Sequence, residues 1–151
     1  MKAPIWLHKH VVLAMHAESL ADHGGSAGLR DEGLLDSSLA RPLHPHAYEK
    51  ADLCRLAAAY AHGIAKNHPF LDGNKRAAFL AAAVFLRRNG VRLVAEPGHA
   101  AVFVIALADG SLSEIAFAAW LRDCTVSAKR SPRKLVGKVR GPADGKACRR
   151  R

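Results

Sequence analysis

Residues 68 to 76, here called the strip, read HPFLDGNKR and place several reactive groups close together. His68 carries an imidazole and Asp72 a carboxylate, and Lys75 and Arg76 add two cations. Histidine is well suited to take a proton from an attacking hydroxyl near neutral pH. A carboxylate can hold Mg²⁺ beside nucleotide phosphates. These residue types favour chemistry on a phosphate bond, with His68 as the base and Asp72 as the metal ligand.

The backbone of the strip should add an anion site. Pro69 disfavours helical geometry at His68, so one helix is expected to end there and the next to begin around Gly73. The first backbone N–H groups of a helix have no intrahelical acceptor, and the helix dipole attracts anions to that end. Lys75 and Arg76 fall in this first turn, where cations are unfavourable unless an anion is bound. The pattern predicts a phosphate cradle that begins at Gly73, with the two cations as charge stabilisers.

A structural alternative exists for the same residues. In that interpretation the strip is a polar turn between two helices, and His68 and Asp72 cap the helix ends. Phe70 and Leu71 are expected to plug the turn into the core in either case. The chain has no G-x-x-x-x-G-K-[ST] phosphate loop and no protein-kinase signature set, so neither of those nucleotide sites is expected.

Helical periodicity runs through the segments on both sides of the strip. Apolar residues recur at helical spacing over residues 50–67, and a second helix is expected over residues 73–89. The second helix contains the apolar run 77–86, which is far shorter than the eighteen or more residues typical of a membrane span. We therefore interpret this run as part of a buried helix.

The rest of the chain up to residue 124 also has mainly helical patterns. Further helices are expected at residues 8–23, 34–39, 98–108 and 112–123. Asp31 should cap the helix that ends before Pro42, and residues 91–94 resemble a short strand. Residues 43–47 contain or adjoin prolines and show no periodicity, so a loop or an extended flap is expected. The predicted fold class is all-α, a helical bundle with at most a small β flap.

The net charge of +10 is distributed unevenly. Residues 125–151 hold ten Lys or Arg against Asp144 alone, whereas residues 1–124 hold thirteen basic and twelve acidic residues. The pattern predicts one nearly neutral domain at 1–124 and a basic, disordered tail at 125–151. The tail is either a non-specific contact for polyanions or an appendage without a partner. The absence of interleaved aromatic residues favours the appendage.

The N-terminal segment gives no sign of secretion. His8, Lys9 and His10 interrupt its apolar residues early, and no small-residue cleavage site follows. The three cysteines are widely separated and do not have the spacing of a metal site. We expect a cytoplasmic protein.

The strip resembles the active-site motif of the Fic/Doc (Fido) family, H-[PX]-F-x-[DE]-G-N-G-R, which lies between two central helices of a helical bundle. Residues 28–42 (GLRDEGLLDSSLARP) and 77–90 (AAFLAAAVFLRRNG) are similar to the matching stretches of Doc-type proteins. The resemblance covers roughly residues 5–124. Lys75 stands where Fic AMP-transferases usually have glycine, and Phe79 where many Fic members have a second arginine. Both departures look like the Doc branch, the "death on curing" toxins of addiction modules.

This resemblance implies the transfer of a group from ATP to a protein hydroxyl. Fic proteins mostly transfer AMP, whereas Doc-type toxins transfer the terminal phosphate of ATP to elongation factor Tu. By position, His68 would be the base and Asp72 the Mg²⁺ ligand. The expected nucleotide-phosphate contacts are Gly73, Asn74, Lys75 and Arg76, and Arg76 is also expected to be catalytic. The bulk and charge of Lys75 favour phosphate transfer, and AMP transfer by the same site or a non-catalytic binding module are the alternatives.

A toxin of this kind needs an inhibitor. The [ST]-x-x-x-E-[GN] pattern of the inhibitory helix found in many Fic proteins does not occur in this chain. The resemblance therefore implies a separate Phd-like antitoxin.

For histidines outside the strip, the sequence gives less evidence of function than for His68. His44 and His46, in the expected flap, are candidates for contacts with the target protein. Four histidines near the N-terminus are interpreted as packing or solvent-facing residues rather than metal ligands. They are His8, His10, His16 and His23.

Overall fold

The computed structural model describes residues 3–127, which form seven helices and two short strands. The helices are α1 (Lys9–His23), α2 (Glu32–Ala40), α3 (Leu43–Tyr48), α4 (Leu53–Asn67), α5 (Asn74–Arg88), α6 (Pro97–Asp109) and α7 (Glu114–Asp123). The strands are β1 (Val91–Leu93) and β2 (Thr125–Ser127). The predicted fold class, an all-α bundle with only a small β element, is confirmed.

Helices α4 and α5, which flank the strip, form the centre of the bundle. Tyr60 and Ile64 of α4 and Phe85 of α5 are almost completely buried. Most of the remaining buried positions on the two helices are alanines, whose small side chains allow two helices to pack closely. The interpretation of residues 77–86 as a buried helix is confirmed. Within residues 3–127 no helix is long and apolar enough to cross a membrane.

The segment between α2 and α4 differs from the expected flap. The N-cap prediction holds, because the Asp31 carboxylate accepts a hydrogen bond from the Leu34 N–H at 2.9 Å. Residues 43–47, however, are helical and belong to α3. Pro45 lies in the first turn of α3, where a backbone N–H would have no intrahelical acceptor, so the proline removes no helical hydrogen bond. The prediction of a loop or flap here was wrong.

The two strands form a small antiparallel sheet. Val91 pairs with Ser127 and Leu93 with Thr125. Strand β1 was expected from the sequence, whereas β2 occupies the first three residues of the segment assigned to a disordered tail. Pairing with β1 supplies the order that the composition of this segment did not predict. Residues 128–151, the greater part of the tail interpreted as either a polyanion contact or an appendage, lie outside the described residues.

Candidate active site

His68 lies directly after the last residue of α4, as the position of Pro69 predicted. Its backbone adopts the left-handed conformation, with φ 51° and ψ 56°, which is uncommon for residues other than glycine. Arg30 holds this turn, because its Nε donates to the His68 backbone oxygen at 2.7 Å and its Nη2 to that of Asn67 at 2.8 Å. The imidazole of the expected base is exposed, on a backbone that hydrogen bonds hold in place.

A short bridge joins the strip to the loop that precedes α2. Leu29 and Phe70 form an isolated antiparallel bridge, and the Arg30 N–H donates to the Pro69 oxygen at 2.7 Å. The side chain of Phe70 is 1% exposed, as expected for a plug in the core. Leu71, expected to be a second plug, is 57% exposed. Successive side chains of extended backbone point to opposite sides, so burying Phe70 turns Leu71 outward.

Asn74 fixes the loop from inside. Its side chain is 9% exposed, its Oδ1 accepts from the Phe70 N–H at 2.9 Å, and its Nδ2 donates to the Phe70 oxygen at 2.9 Å. Two opposite hydrogen bonds to one residue hold the loop in a single orientation. The side chain expected to contact phosphate is thus engaged with Phe70, and the Asn74 backbone N–H is the group in the first turn of α5.

The Asp72 carboxylate is exposed and held by two backbone N–H groups. Ser26 donates to Oδ2 at 3.2 Å and Gly73 to Oδ1 at 2.8 Å. These hydrogen bonds, first that of Ser26 and then that of Gly73, lower the pKa of Asp72 below its ordinary value. Mg²⁺ bound beside nucleotide phosphates commonly uses one or two carboxylates, together with water and the phosphates. An exposed, ionised and oriented carboxylate fits that set of ligands.

The N-terminus of α5 combines open N–H groups with positive charge. Gly73 is its N-cap, with φ 75°, and no side chain caps the helix. Across residues 3–127, no hydrogen-bond acceptor is found for the backbone N–H groups of Asn74, Lys75 and Arg76. The side chains of Lys75 and Arg76 are both exposed. This helix end has the features of an anion site that the sequence predicted.

His16 of α1 contacts the strip from the interior. Its ring stacks on Phe70 with a centroid distance of 3.7 Å and an interplanar angle of 12°. Its Nε2 lies 2.7 Å from the backbone oxygen of Asp72. The sequence indicated only that this histidine was one of several spread around a helix.

A cleft of about 760 Å³ adjoins the N-terminus of α5. Lys75 and Arg76 of α5 and Glu18 and Asp22 of α1 are its charged lining residues. Its apolar lining consists mainly of Met15, Phe79, Leu80, Val84, Val104 and Ile105. Phe79, which occupies the position of the second arginine in many Fic members, therefore makes this wall apolar.

The cleft and the reactive groups of the strip are adjacent but distinct. Neither His68 nor Asp72 is among the residues that line the cleft. The residues of the strip that line the cleft are therefore Lys75 and Arg76, in the first turn of α5, and not the expected base or metal ligand.

The remaining histidines do not assemble into a metal centre. His46 packs edge-on against Trp6 with a centroid distance of 5.2 Å, and His44 packs against Tyr48 at 4.9 Å. In the part of the chain from residue 3 to residue 127, no group of three or more His, Cys, Asp or Glu residues could hold a metal ion. A contact of His44 and His46 with the target protein stays a prediction, now for side chains on α3.

Three residues outside the strip contribute to the site and were missed from the sequence. Arg30 holds the turn at His68, Ser26 holds the Asp72 carboxylate, and His16 holds the Asp72 backbone. Arg30 lies in the stretch 28–42 that resembles Doc-type proteins, which is the one signal that could have identified it. No spacing in the sequence indicated the other two.

Comparisons with known proteins agree with the motif. Residues 6–86 match the Fic/DOC family. A protein of Escherichia phage P1 named "Protein kinase doc" is 35% identical over 112 residues, which cover 74% of this chain and 88% of that protein. "Toxin Doc" of Mycolicibacterium smegmatis (strain ATCC 700084 / mc(2)155) is 38% identical over 109 residues, which cover 67% of this chain and 72% of that protein. The resemblance of the strip is therefore confirmed, and the chain belongs to the Fic/Doc family.

Proposed function

We propose that this protein is the toxin of a toxin-antitoxin module and transfers the terminal phosphate of ATP to a hydroxyl of a translation factor, which arrests protein synthesis. We propose elongation factor Tu as the target. Membership of the Fic/Doc family supports a protein-modifying transferase. The names of the two relatives, one a protein kinase and the other a toxin, support the kinase activity and the toxin role.

Lys75 is the main reason for proposing that the protein transfers phosphate rather than AMP. It is exposed in the first turn of α5, beside the open N–H groups, and lines the cleft. Fic AMP-transferases usually have glycine at this position, which leaves room for the nucleotide to place its α-phosphate at the reaction centre. A lysine fills that room and adds a charge suited to the terminal phosphates. The bound nucleotide would then present its γ-phosphate to the target.

His68 is the general base of the proposed reaction. It takes the proton of the target hydroxyl while the hydroxyl oxygen attacks the γ-phosphorus. The bond between that phosphorus and the β,γ-bridging oxygen breaks, and ADP leaves with the bonding electron pair. A positioned base contributes about 10²–10⁴-fold to such a step. The exposure of His68 suits a base that must meet a hydroxyl on another protein.

The first turn of α5 stabilises the charge that moves during the transfer. The open N–H groups of Asn74, Lys75 and Arg76 and the two side-chain cations would contact a bound phosphate, and positioning with charge stabilisation supplies most catalysis of phosphoryl transfer. Mg²⁺ held by Asp72 would neutralise phosphate charge and orient the phosphates.

An antitoxin segment is the proposed occupant of the cleft. The cleft has an apolar lining, two acidic residues on α1 and two basic residues on α5. A Phd-like segment with apolar side chains and an acidic group near Lys75 and Arg76 would fill the cleft and occupy the anion site. Such a segment would exclude ATP and silence the toxin.

Transfer of a labelled phosphate tests the reaction. The purified chain is incubated with elongation factor Tu, Mg²⁺ and ATP radiolabelled at either the α- or the γ-phosphorus. We expect label from the γ-phosphorus alone on the target, and a mass increase of one phosphoryl group by intact-protein mass spectrometry. Label from the α-phosphorus with a mass increase of one AMP would instead establish AMP transfer and overturn the kinase proposal.

Substitution of the base tests catalysis against a binding module. His68→Ala should remove both the phosphate transfer and the arrest of growth when the protein is expressed without an antitoxin. His10→Ala, an exposed histidine of α1, is the matched control. Growth arrest that persists in His68→Ala would indicate a non-catalytic binding module.

A further inference from the structure

His16 contacts the strip from inside the bundle in two separate ways. Its side chain is 4% exposed, and its ring stacks on Phe70. Its Nε2 lies 2.7 Å from the backbone oxygen of Asp72. Because a carbonyl oxygen can only accept a hydrogen bond, Nε2 carries the hydrogen and donates it. The histidine is therefore bonded to the backbone of the residue expected to hold Mg²⁺.

This hydrogen bond fixes the orientation of the peptide between Asp72 and Gly73. The peptide is trans, so its C=O and N–H groups point in opposite directions. With the oxygen directed at His16, the Gly73 N–H points to the other side and donates to Oδ1 of Asp72 at 2.8 Å. The orientation of one peptide thus sets the orientation of the carboxylate.

Gly73 leaves this peptide able to turn over. Glycine adopts positive φ about as readily as negative φ, and Gly73 has φ 75°. A reversed peptide would direct the Asp72 carbonyl oxygen toward its own carboxylate, where the Gly73 N–H now points, and the two oxygens would repel each other. An anchor from outside the strip is needed to hold one orientation, and His16 supplies it.

We propose that His16 is a positioning residue that, through the Asp72–Gly73 peptide and the hydrogen bond of its N–H, holds the Asp72 carboxylate in the orientation required for Mg²⁺ binding. The proposal rests on the proposed phosphate transfer. His16 is buried, and its effect on the site runs through the Nε2 hydrogen bond. Removal of such a partner typically changes metal affinity or activity by about 10- to 100-fold.

Two substitutions separate the hydrogen bond from the ring stack. His16→Phe keeps an aromatic ring against Phe70 and removes the donor. His16→Gln removes the ring but keeps a donor. The glutamine amide nitrogen is separated from Cβ by the same number of bonds as Nε2 of histidine. We expect His16→Phe to raise the Mg²⁺ concentration for half-maximal phosphate transfer about 10- to 100-fold with a small change in Tm. His16→Gln should retain the wild-type Mg²⁺ dependence while its Tm falls.

The opposite pattern would overturn the proposal. If His16 only packs the core, activity will follow Tm in both variants, so that His16→Phe is the more active and His16→Gln the less active. His10→Phe, the same substitution at an exposed position of α1, controls for the added ring.

The amide NMR signal of Gly73 gives a readout that needs no substrate. In His16→Phe this signal should shift and its hydrogen should exchange faster, whereas His16→Gln should resemble the wild type. Wild-type position and protection of the Gly73 amide in His16→Phe would overturn the role of His16. Failure of the wild-type chain to phosphorylate elongation factor Tu would count against the proposed function alone, because the NMR comparison still decides whether His16 orients the peptide.

Discussion

The Nε of Arg30 lies 2.7 Å from the backbone oxygen of His68, although the two residues are 38 positions apart in the sequence. A second nitrogen of the same guanidinium donates to the Asn67 oxygen at 2.8 Å. The planar guanidinium thus satisfies two carbonyl groups at the C-terminus of α4 and holds His68 in its left-handed conformation.

Arg30→Ala should impair transfer far more than it impairs folding. Without the guanidinium the His68 turn can move, and a misplacement of about 1 Å can cost on the order of 10²-fold in rate. Since Arg30 is exposed, the free energy of unfolding should fall by only about 1 kcal/mol. The measurements are the rate of phosphate transfer and a urea titration, with Arg87→Ala at the exposed end of α5 as control. A wild-type rate in Arg30→Ala would show that the turn needs no such support.

Gly25→Ala should displace the Asp72 carboxylate. A Cβ at Gly25 would lie 2.8 Å from Oδ2 of Asp72 and 2.9 Å from Cδ2 of Leu20, closer than real contacts allow, so both side chains must move. Gly24→Ala is a matched control, because Gly24 also has positive φ but a Cβ there meets nothing within 4 Å. We expect a higher Mg²⁺ requirement in Gly25→Ala than in Gly24→Ala. Equal Mg²⁺ titrations for the two variants would contradict the placement of Mg²⁺ at Asp72.

Asn74→Ala should destabilise the whole chain. It removes both partners of the buried Phe70 backbone groups, and each unsatisfied buried group costs about 1–3 kcal/mol. Lys75→Ala, one position further along the same turn and exposed, should be nearly neutral in a urea titration. Equal stability of the two variants would show that water replaces the Asn74 amide.

Lys75→Gly should weaken phosphate transfer and open space at the N-terminus of α5. If the lysine sets the orientation of the nucleotide, some AMP should appear on the target in mass spectra of this variant. Lys50→Gly removes the same charge from an exposed residue whose positive φ glycine adopts freely, and serves as the control. Unchanged phosphate transfer by Lys75→Gly would remove the main reason for preferring phosphate over AMP.

Glu114 should make the free energy of unfolding depend on pH, because its ionised form pairs with two arginines. Its side chain is 11% exposed, accepts from Arg41 at 2.7 Å, and pairs with the 13%-exposed side chain of Arg55. Burial raises the pKa of Glu114, but the hydrogen bonds from the two arginines outweigh it, so the pKa lies below its ordinary value. The stabilisation is therefore complete above the ordinary pKa of 4.5 and is lost as the pH falls through the lowered folded value.

Glu114→Gln tests this dependence. At pH 7 it should lower the free energy of unfolding by about 1–3 kcal/mol, because the two arginines lose a charged hydrogen-bond acceptor. The difference from the wild type should shrink as the pH falls below the ordinary carboxyl range, where both side chains are neutral. Urea titrations between neutral and acid pH measure it, and a difference independent of pH would show that Glu114 acts by packing alone.

Local sequence determined the helix ends that frame the strip. Pro69 restricts the backbone of His68, so α4 ends at Asn67, and Gly73 precedes the first residue of α5. These restrictions act over one or two residues, and apolar periodicity acts over a few turns, so both can be recognised without a fold. The types of reactive group at the site follow from the same short stretch.

Two short segments were not predicted because their intrinsic preferences for helix or strand are weak. Helix α3 has six residues and strand β2 three, and each is stabilised by neighbours that its sequence does not identify. Strand β2 forms because β1 is beside it, and α3 packs against α4.

Only the tertiary structure decided which residues support the base and the carboxylate. Arg30 reaches His68 across 38 positions, Ser26 reaches Asp72 across 46, and His16 reaches Asp72 across 56. Each contact is a hydrogen bond to a single atom, whose formation requires two distant segments to pack within about 3 Å of one another. The sequence of the strip determined its chemical groups, and packing of α1 and the loop before α2 determined where those groups point.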